Sequence, residues 1–499
     1  MFMRKWFYFL FVILLCLAST ALILCCTAQY GVGVTPDSVA YISAARNLAM
    51  GNGLKIYDKS PYISWPPLYP LLLAGLEFIK VDSFDGARLI NVVCIILSVI
   101  ISWFYLIPML KYKFLAIICL VMIVLSRPLI FVSLFAYSEP IFIVLTLLSL
   151  YFLSKYLETG GWSSLVSATI FTMLAIQCRY VGCTILFTGC VIIYFAYIKD
   201  KKNKIREWLF FLFATIIPLL AWLVRNYFVA GSLTGWRPMP RYFLWQQPVF
   251  VLDTITLWFL PSFITVWLRV SLFVSILAIL IFIVCKKNSN PCGEIKVFYL
   301  FTLIFTIFIV YSSSAGHFPR PDARILSPIY IPLVISVIYL IDRAVSTINS
   351  GLKRRWVIST VVVIMALMIG YQMIYRNWLN VLNSCKHGVG GYSTEEFSNN
   401  KLLVSIKRAP ISGLVFSNAP DAIYFLTGMT AFLNPLKKNN KKEILKGIYE
   451  KVGRRRIFFI ELSNIITHPA VSTIADLKEV MPLEQIAKDD FVSIYEVTM

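Results

Sequence analysis

PPLYPLLLAGLEFI, residues 66–79, is apolar almost throughout, yet it opens on two prolines and runs to only fourteen residues. A helix needs about 20 apolar residues to cross a bilayer. Whether this segment spans sets the sidedness of everything after it. Candidate spans lie near 6–28, 86–107, 112–126, 130–154, 163–177, 181–198, 207–228, 266–285, 296–312, 325–341 and 356–377, eleven in all without 66–79. Three intervening stretches are strongly basic: KDKKNKIR at 199–206, KKNSNPCGEIK at 286–296 and DRAVSTINSGLKRRW at 342–356. Positively charged loops stay cytoplasmic, and so does an N-terminus carrying Arg4 and Lys5. Six crossings then separate the N-terminus from residue 199, an even number, provided that 66–79 does not span. This count predicts one long outer loop over 29–85, with a helix from about 36 to 50 and a membrane-skimming element at 66–79.

Composition agrees with a polytopic α-helical membrane protein. Of 499 residues, 59% are hydrophobic and 14% charged, and the mean hydropathy is +0.77, well above a soluble domain with about 45–50% apolar residues. The net charge of +21 sits in short clusters between apolar runs, so it reads as topology and excludes nucleic acid as a partner. The first apolar run is too long for the core of a cleaved signal peptide, about 7–15 residues. Most of the eleven cysteines fall inside apolar runs without paired spacing, which argues against a disulfide or zinc framework.

Residues 1–377 thus form a transmembrane domain. Residues 378–499 lose the apolar pattern: short β-type runs, GLVFSN, RRIFFIEL and FVSIYEV, alternate with helix-compatible polar segments. A small α/β domain on the outer side is expected there, with GVGG at 388–391 as a hinge.

The first outer loop contains TPDSVAYISAARNLAMGNG, residues 35–53. Thr35 reads as an N-cap, Pro36 as the first helical residue and Asp37 as an acid in the first turn, favoured there by about 0.3–1 kcal/mol. Helical spacing places Asp37, Tyr41, Ala44, Ala45 and Leu48 on one face and Arg46 on the other. Elsewhere, Glu139 falls inside an apolar segment, where an ionisable group needs a partner or a polar cavity; Arg88 and Arg179 are the candidate partners. Arg179, Arg225, Arg320 and Arg324 fall at outer membrane boundaries. Arginine presents a planar fork suited to phosphate, and a cation at a helix end also snorkels. His317 is a lone histidine. Tyr57, Tyr62, Trp65, Tyr69, Trp236, Tyr242 and Trp245 make the outer loops aromatic, as sugar stacking and interfacial belts both require. No Walker A, HExxH or GxSxG pattern is present.

In order along the chain, TPDSVAYISAARNLAMGNGL, WPPLYPLLLAGLEF, DGARLINVV, SEPIFIVLTLLSLYF, CRYVG, LAWLVRNYFVAGS and RPDARILSPIYIPL resemble bacterial membrane glycosyltransferases of the GT-C superfamily. These include relatives of protein O-mannosyltransferases, of the lipid A aminoarabinose transferase and of RgtA/B/C/D-like enzymes. The resemblance covers most of residues 1–345. It implies sugar transfer from a polyprenyl-phosphate donor to an envelope glycan, lipid or protein on the outer side of the cell membrane. It also implies a catalytic acid in the first outer loop, at Asp37, and phosphate binding at Arg324. Many members carry two adjacent acids where this chain has Asp37-Ser38. One direct displacement would invert the sugar. Tyr41, Glu139, Arg179, Arg225, Arg320 and Arg324 are the candidate substrate contacts; no cofactor is required, and a divalent metal at the phosphate is left open. Two rival readings are a flippase for lipid-linked glycans and a non-catalytic member of a glycan-assembly complex. A transporter would more typically bind at the midplane through broken helices in repeats.

Overall fold

The computed structural model describes residues 2–196, 201–235, 242–285, 292–315, 320–348, 351–371, 378–437, 456–463, 465 and 471–498. His317, Trp236 and parts of the three basic stretches lie outside the described residues. The chain divides into two compact units. One comprises Met1–Cys26, Ile63–Leu71 and Gly86–Asn383; the other comprises Thr27–Tyr62, Leu72–Asp85 and Ser384–Met499.

The helices in chain order are α1 (Phe2–Cys26), α2 (Pro36–Ala49), α3 (Leu68–Phe78), α4 (Ser83–Met109), α5 (Lys113–Val124), α6 (Arg127–Leu134), α7 (Glu139–Thr159), α8 (Trp162–Cys178), α9 (Cys183–Phe195), α10 (Lys201–Ala230), α11 (Gln247–Thr256), α12 (Val266–Cys285), α13 (Gly293–Ala315), α14 (Ala323–Ser346) and α15 (Gly351–Gly370). Among the described residues, seven helices are long and apolar enough to cross a membrane, or eight if α5 and α6 make one span bent by 44°. The sequence count of about eleven also included α8, α9 and α15, which the structure forms as shorter apolar helices. Between 66 and 79 the chain forms α3, eleven residues long.

In the first unit α7 packs along α8, and α13 packs against α7, α9 and α14. Hydroxyls tie these apolar surfaces at chosen points: Ser149 and Thr172 meet at 2.6 Å between α7 and α8, and the buried Tyr105 hydroxyl donates to Leu147 O at 2.8 Å. The α5–α6 bend has a local cause. Pro128 lacks the N–H that would continue the ladder, Ser126 caps the new helix through Leu129 N, and the Met122 carbonyl accepts from the Tyr330 hydroxyl at 3.0 Å.

The apolar run 130–154, read as one span, is interrupted. Leu134 ends α6 and Glu139 begins α7, so Glu139 opens a helix instead of lying two turns inside one. The buried Asn91 amide donates to Ser133 O at 2.9 Å and Phe135 O at 2.8 Å, satisfying carbonyls freed by the interruption. Pro140, placed in the first turn of α7, is tolerated there because that N–H has no helical acceptor.

The second unit holds a five-stranded sheet: β1 (Leu414–Ser417), β2 (Phe432–Leu433), β3 (Ile457–Leu462), β4 (Leu483–Lys488) and β5 (Val492–Val497). The order is β2-β1-β3-β5-β4, with β1 parallel to β2 and β3, and β5 antiparallel to β3 and β4. Alternation along the strands fills two cores. Leu414, Phe416, Ile457 and Phe459 face Ile474 and Leu477; Val415, Phe458, Ile460 and Leu462 face the other way. That second core takes in Val34 and Val39 of the first loop, together with Leu403, Ala422 and Ile423. This is why residues 27–62 fold with the C-terminal segment, a grouping that the hydropathy boundary at 377/378 does not convey. Among the described residues, helices α16 (Trp378–His387), α17 (Glu395–Ser398), α18 (Lys401–Arg408), α19 (Pro420–Thr427) and α20 (Ile474–Lys478) are also formed; α19 packs on α18 and α2.

Candidate functional site

In the first unit arginines gather around two of the buried acids, Glu139 and Asp253. Glu139, 1% exposed, is ion-paired through Oε2 with Arg179 Nη1 at 2.8 Å and through Oε1 with Arg324 Nε at 2.6 Å. Three elements bring them together. Arg179 is the C-cap of α8, turned by the 3₁₀ segment Tyr180–Gly182. Gly182 permits that tight turn, since a Cβ there would stand 2.8 Å from the backbone of Ala175 and Ile176. Arg179 also donates to Ser138 Oγ at 3.0 Å. Arg324 stands at the start of α14, where the Asp322 carboxylate caps the backbone N–H of Arg324 and Ile325, each at 3.0 Å. The Arg324 guanidinium lies 3.7 Å from the centre of the Tyr137 ring, and Tyr137 stacks on Phe135. The structure pairs Glu139 with Arg179, one of the two sequence-suggested partners, and with Arg324.

The second buried acid is Asp253 on α11. It pairs with Arg269 of α12 and with Arg320. Arg269 is buried and also donates to Ile264 O at 2.9 Å. The Arg320 side chain is 48% exposed and its guanidinium lies 4.8 Å from the centre of the Phe250 ring. Each acid is therefore paired with two arginines. Partly exposed guanidinium forks such as those of Arg179, Arg320 and Arg324 suit a phosphate. Removing one partner of a buried pair costs about 3–5 kcal/mol, so these contacts also hold the helix ends in place.

Arg225 lies near the end of α10, donating to Asn226 Oδ1 at 3.0 Å and resting 4.9 Å from the centre of the Trp222 ring. Asn226 in turn donates to Leu233 O at 2.9 Å and to Ile63 O at 3.3 Å, fixing the turn that follows the helix.

In the second unit α2 begins as its sequence predicts. Thr35 is the N-cap, Pro36 opens the helix and Asp37 occupies the first turn, half-buried. The Thr35 side chain makes no capping bond to the backbone; its Oγ1 meets Ser38 Oγ at 3.2 Å. Tyr41 is 1% exposed, its ring 6.5 Å from that of Tyr62. Ala44 and Ala45 are likewise buried. Arg46, on the other face, pairs with Asp82 at 2.7 Å and Glu77 at 3.8 Å, so the end of α2 is tied to the segment after α3.

Acids and phenols dominate the start of α2. The Tyr392 hydroxyl donates to Asp421 Oδ2 at 2.7 Å. Burial raises the pKa of the Asp421 carboxyl, and the charge of Asp37 adds to this, against the opposing effect of the Tyr392 hydrogen bond. Burial, and then the charge of Asp421, raises Tyr392 and Tyr57. Both phenols therefore remain protonated donors at neutral pH. Among the described residues, no three His, Cys, Asp or Glu side chains gather as metal ligands.

Sequence reading missed Asp253 and Arg269, although one acid and one cation sixteen positions apart in otherwise apolar surroundings imply a pair. It also passed over Asp322, Tyr137 and Asp421. Asp322 had a signal, an acid immediately before an amphipathic helix.

No family model and no curated protein matches the chain. Solved structures do. ArnT from Cupriavidus metallidurans in the apo state superposes with a TM-score of 0.61 at 12% identity, covering 99% of this chain and 98% of that one. The same protein bound to undecaprenyl phosphate gives 0.60 at 12% identity, covering 98% of each chain. The archaeal oligosaccharyltransferase AglB from Archaeoglobus fulgidus, in complex with an inhibitory peptide and a dolichol-phosphate, gives 0.55 at 12% identity, covering 92% of this chain and 70% of that one. The chain thus shares the fold of these solved structures.

Proposed function

We propose that the protein is an integral membrane glycosyltransferase that moves a sugar from a polyprenyl-phosphate donor to an envelope glycan, lipid or protein. The reading places the reaction on the outer face of the cell membrane, with the N-terminus cytoplasmic. The observation that carries it is the pair of arginines on buried Glu139, in a fold shared with proteins captured with undecaprenyl phosphate and dolichol-phosphate. Arg324 and Arg179 are assigned to the donor phosphate, and Arg320 and Arg225 supply further positive charge for the lipid headgroup.

Asp37 is assigned as the general base. A carboxylate takes a proton only within about 2.6–3.2 Å of it, and the first turn of α2 holds this one on a rigid element. The acceptor hydroxyl gives its proton to Asp37 as its oxygen bonds to the anomeric carbon. The carbon–oxygen bond to the phosphate breaks, and its electron pair leaves on the phosphate oxygen, where guanidinium groups stabilise the charge. One displacement inverts the anomeric configuration. Because arginines can supply the positive charge, no divalent metal is assigned to this step.

The test is transfer by the purified protein from a panel of polyprenyl-phosphate sugars to envelope acceptors, comparing wild type with Asp37→Asn. Transfer that falls by about 10²–10⁴ in the variant supports the assignment of a general base. Movement of the lipid-linked sugar across a vesicle membrane without transfer would favour the flippase reading.

A further inference from the structure

We infer that Tyr392 and Asp421 are positioning residues for Asp37, so that the C-terminal segment forms the seat of the proposed base. The inference rests on the assignment of Asp37 made above, and it begins from what holds the start of α2. The Thr35 side chain makes no capping bond to the helix, so the local sequence leaves this start weakly fixed. The segment before it is held from elsewhere in the same unit. Val34 and Gly391 form a parallel bridge, with Tyr392 N–H donating to Val34 O at 2.8 Å and Val34 N–H donating to Gly390 O at 3.4 Å.

The bridge is tight. Gly391 has φ of +65°, and a Cβ there would stand 1.9 Å from Val34 O, so only glycine allows this approach. The GVGG run read as a hinge is thus paired backbone at its far end. Val34 itself is fully buried, in one core with Ala419, Ala422 and Ile423 around α19. Tyr392, next along from Gly391, is anchored by its hydroxyl to Asp421. Asp421 occupies the first turn of α19, directly after Pro420, and α19 packs on α2.

Two helices that each open on Pro-Asp, Pro36-Asp37 and Pro420-Asp421, are therefore linked through one tyrosine and one backbone bridge. The charge of Asp37 also acts on the Asp421 carboxyl. Asp421 is only 9% exposed and already accepts from Tyr392. Its part is to fix Tyr392, hence Val34, hence the first turn that carries Asp37. A displacement of about 1 Å at a reacting group can cost 10²-fold in rate, so this chain has catalytic leverage without touching substrate.

The experiment uses the full-length protein in lipid nanodiscs and reads two quantities. The first is kcat and donor KM with a polyprenyl-phosphate sugar that the wild type uses. The second is amide hydrogen exchange over residues 34–41, measured by mass spectrometry and independent of activity. Tyr392→Phe and Asp421→Ala are expected to lower kcat about ten-fold or more with donor KM nearly unchanged, and to speed exchange at residues 34–41 about ten-fold. Asp421→Asn keeps an acceptor for the tyrosine and is expected to restore both readings. The double variant Tyr392→Phe with Asp421→Ala is expected to be no worse than either single one, because both break one link. Unchanged exchange at 34–41 in both single variants overturns the inference, as does faster exchange with wild-type kcat. If no donor supports turnover, the function assigned above fails, and the exchange measurement still decides whether this seat exists.

Discussion

The surroundings of Glu139 and of Asp37 are built on opposite plans. At Glu139 one buried carboxylate is shared by two arginines, and at Asp253 the same ratio recurs. The charge of Asp37 acts instead on a second carboxylate, Asp421, and on the phenol of Tyr392 that donates to it. The first plan holds partly exposed guanidinium forks in place and suits an anion. The second sets a tyrosine hydroxyl on a buried carboxylate beside a backbone bridge, which suits holding a helix start in place. Under the function proposed above, the cations assigned to the phosphate belong to the first unit and the assigned base to the second.

The comparison is broken most readily at Arg324. Arg324→Ala leaves buried Glu139 with one partner; it is expected to destabilise the protein by about 3–5 kcal/mol and to raise donor KM sharply, read by thermal unfolding and donor titration. Arg324→Lys keeps the charge but loses the fork and the stacking on Tyr137, so an intermediate KM is expected. Wild-type donor affinity in both variants would remove the phosphate role from this cluster. Arg320→Ala is milder, because Asp253 keeps Arg269 and the Arg320 side chain is half exposed. A stability loss of about 1 kcal/mol or less is expected, with any larger effect appearing in donor KM.

Asp421 sharpens the other side through pH. Its pKa is raised above the ordinary 3.8, so the stability linked to its protonated form is fully present below that value and is lost as pH rises through the folded-state pKa. Asp421→Asn, which cannot ionise, is expected to match the wild type in thermal midpoint below pH 3.8 and to exceed it increasingly as pH rises. A constant difference between the two proteins across pH would contradict a raised carboxyl. The smallest expected effect is that of chelation. With guanidinium groups carrying the phosphate charge, EDTA is expected to leave turnover within about two-fold; a loss restored by Mg²⁺ or Mn²⁺ would add a metal acting as Lewis acid.

Much of this architecture was legible in sequence because it follows from local rules. The start of α2 follows from Thr35 and Pro36, and the strands at 414–417, 457–462 and 492–497 follow from β-branched and aromatic runs. Strand β4, LEQIAK, lies at the sheet edge and mixes polar with apolar residues, so composition gave no signal. The interruption before Glu139 depends on Asn91, more than forty residues away. Hydropathy alone cannot register a hydrogen bond of that range. The same holds for Val34 and Gly391, whose pairing joins the first loop to the C-terminal segment. Glu139 itself was legible as an acid that needs a cation, and Arg179 as one answer; Arg324 required the fold, which brings the start of α14 to the start of α7.

The most direct measurement is a single-turnover assay that follows polyprenyl phosphate release and sugar transfer together, with enzyme in excess over the lipid-linked donor. The account predicts one polyprenyl phosphate released per acceptor glycosylated, inverted anomeric configuration in the product, and release slowed about 10² or more in Asp37→Asn. Release at the wild-type rate by Asp37→Asn, or retained configuration in the product, would contradict it.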